Sequence, residues 1–395
     1  MNIMREVVIA SGARTAIGSF GGSLKDVPPT ELGAVTAREA LRRAGISGDQ
    51  VNHVVFAQVM HTDASDPYIS RVVGMRAGIP ENVPALTVNR LCGSGLQAIV
   101  TAAQFIRCGD ADVVLAGGAE SMSRVPYWLT GARWGYRLGH AQTVDALLAA
   151  LHDPFHACHM GAATETLVKR YGITREDQDR FALESHRRAA RAREEGVFAE
   201  EIVPVEVRRG KETVLFAHDE HIRPDTSLEK LSALPPVFQE GGTVTAGNSS
   251  GINDGAASVV VMGEDVAQKL GIEPMARLVS YGFGAVEPLS FGIGPVPAIR
   301  QALSRAGLRL DDMDVIELNE AFAGQALAVM KELDMDPERT NPHGGAVALG
   351  HPVGATGAIL TVKALYDLRH RKLRYALVTM CIGGGQGIAA IFERL

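Results

Sequence analysis

Cysteine is scarce in this chain: four in 395 residues, at positions 92, 108, 158 and 381, with no paired spacing. That excludes a disulfide framework and a cysteine-based zinc site. An excess of positive charge is also missing. Thirty-nine Lys and Arg stand against 45 Asp and Glu, without a basic tail or stripe, so nucleic acid is not an expected partner. No apolar run reaches the roughly eighteen residues that would suggest a membrane span. The start, Met1-Asn-Ile-Met-Arg-Glu before Val7-Val-Ile-Ala, reads as a first strand and not a leader, and Phe392-Glu-Arg-Leu395 is no peroxisomal address. A soluble, cytoplasmic protein of two or three domains is expected.

What is present is a repeat. Arg38-Glu-Ala-Leu-Arg-Arg-Ala-Gly45 and Arg300-Gln-Ala-Leu-Ser-Arg-Ala-Gly307 share six of eight residues. The same offset of 262 carries Gln58 onto Glu320, Gly95 onto Gly357, and the strand Val113 to Ala116 onto Tyr375 to Val378. Each copy alternates strands with helices, which predicts an α/β fold of two similar layered halves packed face to face. The first copy breaks after Ala119-Glu-Ser and resumes near Gly247-Asn-Ser-Ser. Expected boundaries are therefore 1–119 plus 248–270 for the first half, 120–247 for an inserted loop domain over the site, and 271–395 for the second half. Within the insertion, Thr174-Arg-Glu-Asp177 predicts a capping box opening a surface helix whose charge run is a solvated face.

The most informative stretch is Asn89-Arg-Leu-Cys92-Gly-Ser-Gly-Leu-Gln-Ala98, where an extended run (83–88) meets a small-residue helix. A helix beginning at Cys92 would favour its thiolate. As a dinucleotide fingerprint the stretch fails, because Asp110 and Asp112 precede the next apolar run instead of ending it. Cys108, inside the following helix, reads as core. Three further clusters fall at strand ends or helix starts of the second copy: Glu317-Leu-Asn319-Glu-Ala-Phe322, Gly350-His351-Pro-Val-Gly354-Ala-Thr-Gly357, and Cys381-Ile-Gly383-Gly-Gly-Gln-Gly387. With Cys92 they supply a nucleophile, a base, a second thiol and backbone donors. The patch His152, His156, Cys158, His159 holds metal-ligating types, but irregular spacing and Asp153-Pro154 argue against a metal site.

Four blocks in this order, Val88-Asn-Arg-Leu-Cys92-Gly-Ser-Gly, Asn319-Glu-Ala-Phe-Ala, Gly345-Ala-Val-Ala-Leu-Gly-His351-Pro-Val-Gly and Cys381-Ile-Gly-Gly-Gly-Gln-Gly, resemble the thiolases from end to end. The loop around His152 to Gly161, with Arg133-Trp-Gly-Tyr136, is similar to biosynthetic bacterial β-ketothiolases, among them enzymes that supply polyhydroxyalkanoate precursors. The resemblance implies layered α-β-α-β-α halves and a reversible Claisen condensation of acetyl-CoA with acetyl-CoA or a short acyl-CoA. By the same resemblance, Cys92 is the nucleophile, His351 its base, Cys381 the base at the α-carbon, Asn319 the holder of a water on the enolate, and Gly383 an oxyanion donor. Contacts to CoA and the acyl group map onto Arg223, Ser250, Ala246, His159, Met160, Ala321 and Phe322. It further implies no metal, no cofactor beyond the CoA thioesters, and a homotetramer built as a dimer of dimers. Alternatives are a degradative 3-ketoacyl-CoA thiolase of fatty-acid β-oxidation, a decarboxylating synthase of the same fold, a non-catalytic lipid carrier and, remotely, a nicotinamide enzyme. The presence of Asn319 and Cys381 disfavours the synthase, whose site typically carries two histidines. The presence of all three of Cys92, His351 and Cys381 disfavours the carrier.

Overall fold

The computed structural model describes residues 5–395, so the first four residues of the expected N-terminal half lie outside it. Apolar residues on both faces of each strand dictate a doubly covered sheet. Strand β1 (Val7–Arg14) is buried throughout, with Val7 and Ile9 on one face and Val8 and Ala10 on the other. It is joined by β2 (His53–Ala57), β3 (Ala85–Val88), β4 (Val113–Ser121) and β5 (Asn253–Gly263), in the order β1-β5-β4-β2-β3. The second half repeats the pattern with β6 (Ala276–Ala285), β7 (Val315–Leu318), β8 (Tyr375–Ile382) and β9 (Gln386–Glu393), in the order β6-β9-β8-β7. Parallel pairing is confined to the outer part of each half: β2 with both β4 and β3 in the first, and β8 with β7 in the second.

Helices α1 (Pro29–Ala44), α2 (Ile69–Arg76) and α3 (Ser94–Cys108) belong to the first half, and α4 (Met160–Tyr171) and α5 (Arg175–Glu194) to the insertion. Helices α6 (Pro295–Ala306), α7 (Ala323–Leu333) and α8 (Thr356–His370) belong to the second. Alternation along the strands sorts the apolar side chains into three cores. One lies between α1, α2 and the first sheet, one between α6, α7 and the second, and the largest surrounds α3 and α8 between the two sheets. The result is the expected five-layered α-β-α-β-α stack. Face-to-face packing is only part of it, however: Val8 pairs with Arg277 and Ile9 with Ala276, so the two sheets are also joined along their edges into one, to which the short strand Gly18–Ser19 adds a tenth member beside β5.

The central helices meet at their first turns, and glycine makes that approach possible. A Cβ on Gly95 would stand 2.6 Å from the backbone N of Ala358, and one on Gly357 would collide with the backbone of Leu96. These are the glycines that the 262-residue offset pairs. Because α3 and α8 start together, the turns preceding them, which carry Cys92 and His351, are held at one place.

The insertion leaves from β4 and returns at β5. The boundary expected between 119 and 120 falls inside β4, which runs on to Ser121 because Glu120 and Ser121 still pair with Gly255 and Asp254. The Thr174 hydroxyl caps α5 as expected, accepting from the Asp177 N–H. Only one face of α5 is solvated, since Gln178, Asp179, Ser185 and His186 are buried. Arg14, fully buried at the end of β1, fixes the insertion to the sheet through ion pairs to Glu201 at 2.7 Å and Asp219 at 2.8 Å. No helix is long and apolar enough to cross a membrane among the described residues.

Candidate active site

The turn before α3 is built by short polar side chains. The Asn89 Oδ1 accepts from the Leu91 N–H, and the Ser94 hydroxyl accepts from the Arg90 N–H while donating to the Leu91 carbonyl. These bonds hold Leu91 at φ 47, a region that bulky residues rarely adopt, and turn Cys92 out towards a cavity. Gly93 packs against Ile382 and Ile388 of the second half, at 2.5 and 3.1 Å from where its Cβ would be. The nucleophile turn therefore rests on the strand pair that carries Cys381.

His351 comes from the equivalent turn before α8. Its Nδ1 lies 2.6 Å from the Thr356 hydroxyl, which itself donates to the Pro352 carbonyl at 2.9 Å. With that hydroxyl proton committed, both bonds form only if Nδ1 carries hydrogen, which leaves Nε2 as the basic atom. Nε2 faces the Asn319 Nδ2 at 3.4 Å. Burial lowers the His351 pKa to about 4, so the ring is neutral at physiological pH. The Asn319 Oδ1 is buried and has no protein partner. Thr356 lies within the Gly350–Gly357 cluster but carries no role in the sequence reading, although the offset of 262 sets it opposite Ser94, which performs the matching task in the first copy.

Cys92, His351, Cys381 and Gly383 line one cavity of about 650 Å³. The expected thiolate preference of Cys92 meets a stronger opposing effect, burial, although the side chain keeps some access to solvent. The helix begins at Ser94 with Gly93 as its cap, and burial pushes the thiol up to about 11, with the N–H groups of Gly383 and Cys92 itself pulling back only part of the way. Cys381 is fully buried and is raised well above the usual thiol value by burial first and by the nearby Cys92 second. Both sulfurs therefore rest as thiols, and a base must act on Cys92. Cys108, expected in the core, is exposed at the end of α3. That helix stops at once on Gly109, and its last turn reaches solvent.

Arg223, Ser250, Ala246, His159, Met160, Ala321 and Phe322 all line the same cavity. Arg223 and Ala246 stand exposed at its mouth, while Ala321 and Phe322 are buried in its wall. The wall is aromatic: His159 stacks on Phe238 at 4.6 Å, and Phe238 and Phe291 meet Phe322 edge-on. Val353 of the His351 cluster lines the cavity too, as do Phe238, Met60 and Met122, which no local pattern in the sequence marks. Of the histidine patch, His152 bonds the Leu148 carbonyl, His156 bonds Asp153, and the His159 Nδ1 accepts from the Gly161 N–H. No group of three or more His, Cys, Asp or Glu side chains is placed to hold a metal among the described residues.

Residues 7–265 match the family model described as "Thiolase, N-terminal domain" and residues 272–394 match "Thiolase, C-terminal domain". The chain is 60% identical over 392 residues to "Beta-ketothiolase BktB" of Cupriavidus necator, covering 99% of this chain and 100% of the relative. Among solved structures, the Bacillus anthracis acetyl-CoA acetyltransferase superposes with a TM-score of 0.98 at 44% identity, with full coverage of both chains. The human mitochondrial 3-ketoacyl-CoA thiolase in complex with CoA superposes with a TM-score of 0.96 at 45% identity, covering 99% of this chain and 98% of that one.

Proposed function

Because the chain belongs to the thiolase family, we propose that it catalyses the reversible condensation of acetyl-CoA with a second acetyl-CoA or a short acyl-CoA, giving a 3-ketoacyl-CoA and free CoA. The observation that carries this reading is the meeting of Cys92, His351 and Cys381, drawn from two halves of the fold, in one cavity.

The chemistry follows from their protonation states. His351 Nε2 takes the proton of Cys92 as its sulfur attacks the thioester, and Cys381 gives its proton to the departing CoA sulfur. An acetyl group is left on Cys92. The Cys381 thiolate is a strong base because burial disfavours it, and it takes a proton from the methyl of the second acetyl-CoA. The enolate oxygen is held by the imidazolium of His351 and by a water on Asn319, whose free Oδ1 suits that task. The new carbon–carbon bond then forms at the acetyl carbon, whose oxyanion faces the N–H groups of Cys92 and Gly383. Cys92 leaves and recovers its proton from His351. The thioester itself acidifies the α-carbon, so no other cofactor is required.

Arg223 at the mouth suits the phosphates of CoA, and Ser250, Ala246, Ala321 and Phe322 suit the pantetheine arm, with His159 and Met160 against the acyl end. The test is thiolysis of acetoacetyl-CoA combined with mass analysis of the protein after exposure to acetyl-CoA. Cys92→Ala is expected to abolish both turnover and acetylation, whereas Cys381→Ala should still acetylate slowly but not condense. Undiminished condensation by Cys381→Ala refutes its assignment as the base.

Free thiols at Cys92 and Cys381 need a reducing compartment, which supports a cytoplasmic location. Tyr127, Trp128, Leu129 and Trp134 of the insertion stand 51–87% exposed, a burden for a monomer that supports self-association, for which the family resemblance suggests a homotetramer formed as a dimer of dimers.

A further inference from the structure

Glu120 is fully buried near the end of β4, and the steps above make no use of it. Its Oε1 accepts from the Met60 N–H at 3.1 Å, and its Oε2 from the Val59 N–H at 3.1 Å and the Gly354 N–H at 2.8 Å. None of these partners is a cation, yet an isolated buried charge is costly. Burial raises the pKa of the carboxyl, but all three partners are N–H donors, spread over both oxygens, and these favour the ionised form, so the geometry holds Glu120 as a carboxylate.

The partners themselves show what the charge is placed to do. Val59 and Met60 wall the cavity beside Cys92, and Gly354 closes the turn that carries His351 and opens α8. The two loops come from different halves of the molecule, and Glu120 bonds both. Gly354 is shaped for this, since a Cβ there would lie 2.7 Å from the Glu120 Oε2. A Cβ on Gly118, two residues earlier in β4, would collide with the Gly354 carbonyl, so β4 and this turn already touch.

We propose that Glu120 is a positioning residue: one carboxylate that clamps the His351 turn to the loop beside Cys92 and sets the distance over which the proton between them moves. The inference rests on the assignment of Cys92 and His351 as nucleophile and base. A misplacement of about 1 Å in such a pair can cost on the order of 100-fold in rate.

Two substitutions separate the clamp from its charge. Glu120→Gln keeps the size but turns an N–H₂ towards N–H donors; Gly354→Ala leaves the charge and pushes the turn off the carboxylate. Both are expected to lower kcat by about 10- to 100-fold with KM for CoA changed by no more than about threefold. Glu120→Gln alone should also lower the pH midpoint of Cys92 alkylation by iodoacetamide, because a neighbouring negative charge is gone. If Glu120→Gln does not fold, Glu120→Asp takes its place in the kinetic comparison, being too short to reach both loops. A kcat within about twofold of the parent in the folded variants, whatever the change in Tm, overturns the proposal. A parent protein that neither thiolyses acetoacetyl-CoA nor acetylates Cys92 overturns the parent assignment as well, which distinguishes the two failures.

Discussion

At the scale of single residues, the site depends on one neutral imidazole between two thiols that resist ionisation. Replacing His351 by Asn removes the acceptor for the Cys92 proton and is expected to lower kcat for acetoacetyl-CoA thiolysis by about 10²- to 10⁴-fold, the usual range for a lost general base. Thr356→Val removes the partner of Nδ1, frees the ring to turn, and lets in the tautomer with hydrogen on Nε2, which cannot take the Cys92 proton. A drop in kcat of about 5- to 100-fold with little change in KM is expected, corresponding to about 1–3 kcal/mol for a lost buried hydrogen bond. Steady-state kinetics decide both, and an unchanged kcat for Thr356→Val would remove the tautomer argument.

At the scale of elements, the decisive contact is the backbone-to-backbone crossing of α3 and α8. Gly95→Ala or Gly357→Ala forces the two helix starts apart, with an expected loss of about 1–3 kcal/mol or more in denaturant melts, and a larger loss of activity than of stability. The offset of 262 made these helices legible in the sequence: α3 and α8 differ by that number at both ends, and the caps of α1 and α6 at Gly45 and Gly307 share φ 68 and 67. The nucleophile turn was readable from its glycines and Ser94. The protonation state of Cys92 was not, because it depends on how much apolar surface the insertion and second half bring over the sulfur. Nor was the edge pairing of β1 with β6, which two residue pairs create and no pattern announces. Phe238 and Met122 enter the cavity only through loop paths that have no periodicity to read.

For the molecule as a whole, pH is a global variable. Burial lowers His159, His186, His221 and His351 each to about 4, below their usual value of 6.5. In the unfolded chain these rings bind protons earlier, so the stability they contribute is complete above about pH 6.5 and is lost as pH falls towards 4. The buried carboxyls Glu120, Glu201, Glu317 and Glu320, raised by burial, act in the opposite direction. Melting curves at fixed ionic strength should therefore show Tm falling from pH 7 to pH 5 only by the excess of the rings' effect, and a Tm that rises over that range would contradict their dominance. On the proposed homotetramer, Trp134→Ser together with Leu129→Ser is expected to lower the mass found by light scattering, with the fold retained by circular dichroism; an unchanged mass would remove this patch from the proposed contact.

The place of β5 has a consequence for the chain as it is made. This strand lies between β1 and β4 yet is encoded after the entire insertion, so a ribosome must translate some 130 residues beyond β4 before the first sheet can be closed. During that interval β1 and β4 present open apolar edges, the kind of surface that recruits chaperones or pairs with another nascent copy.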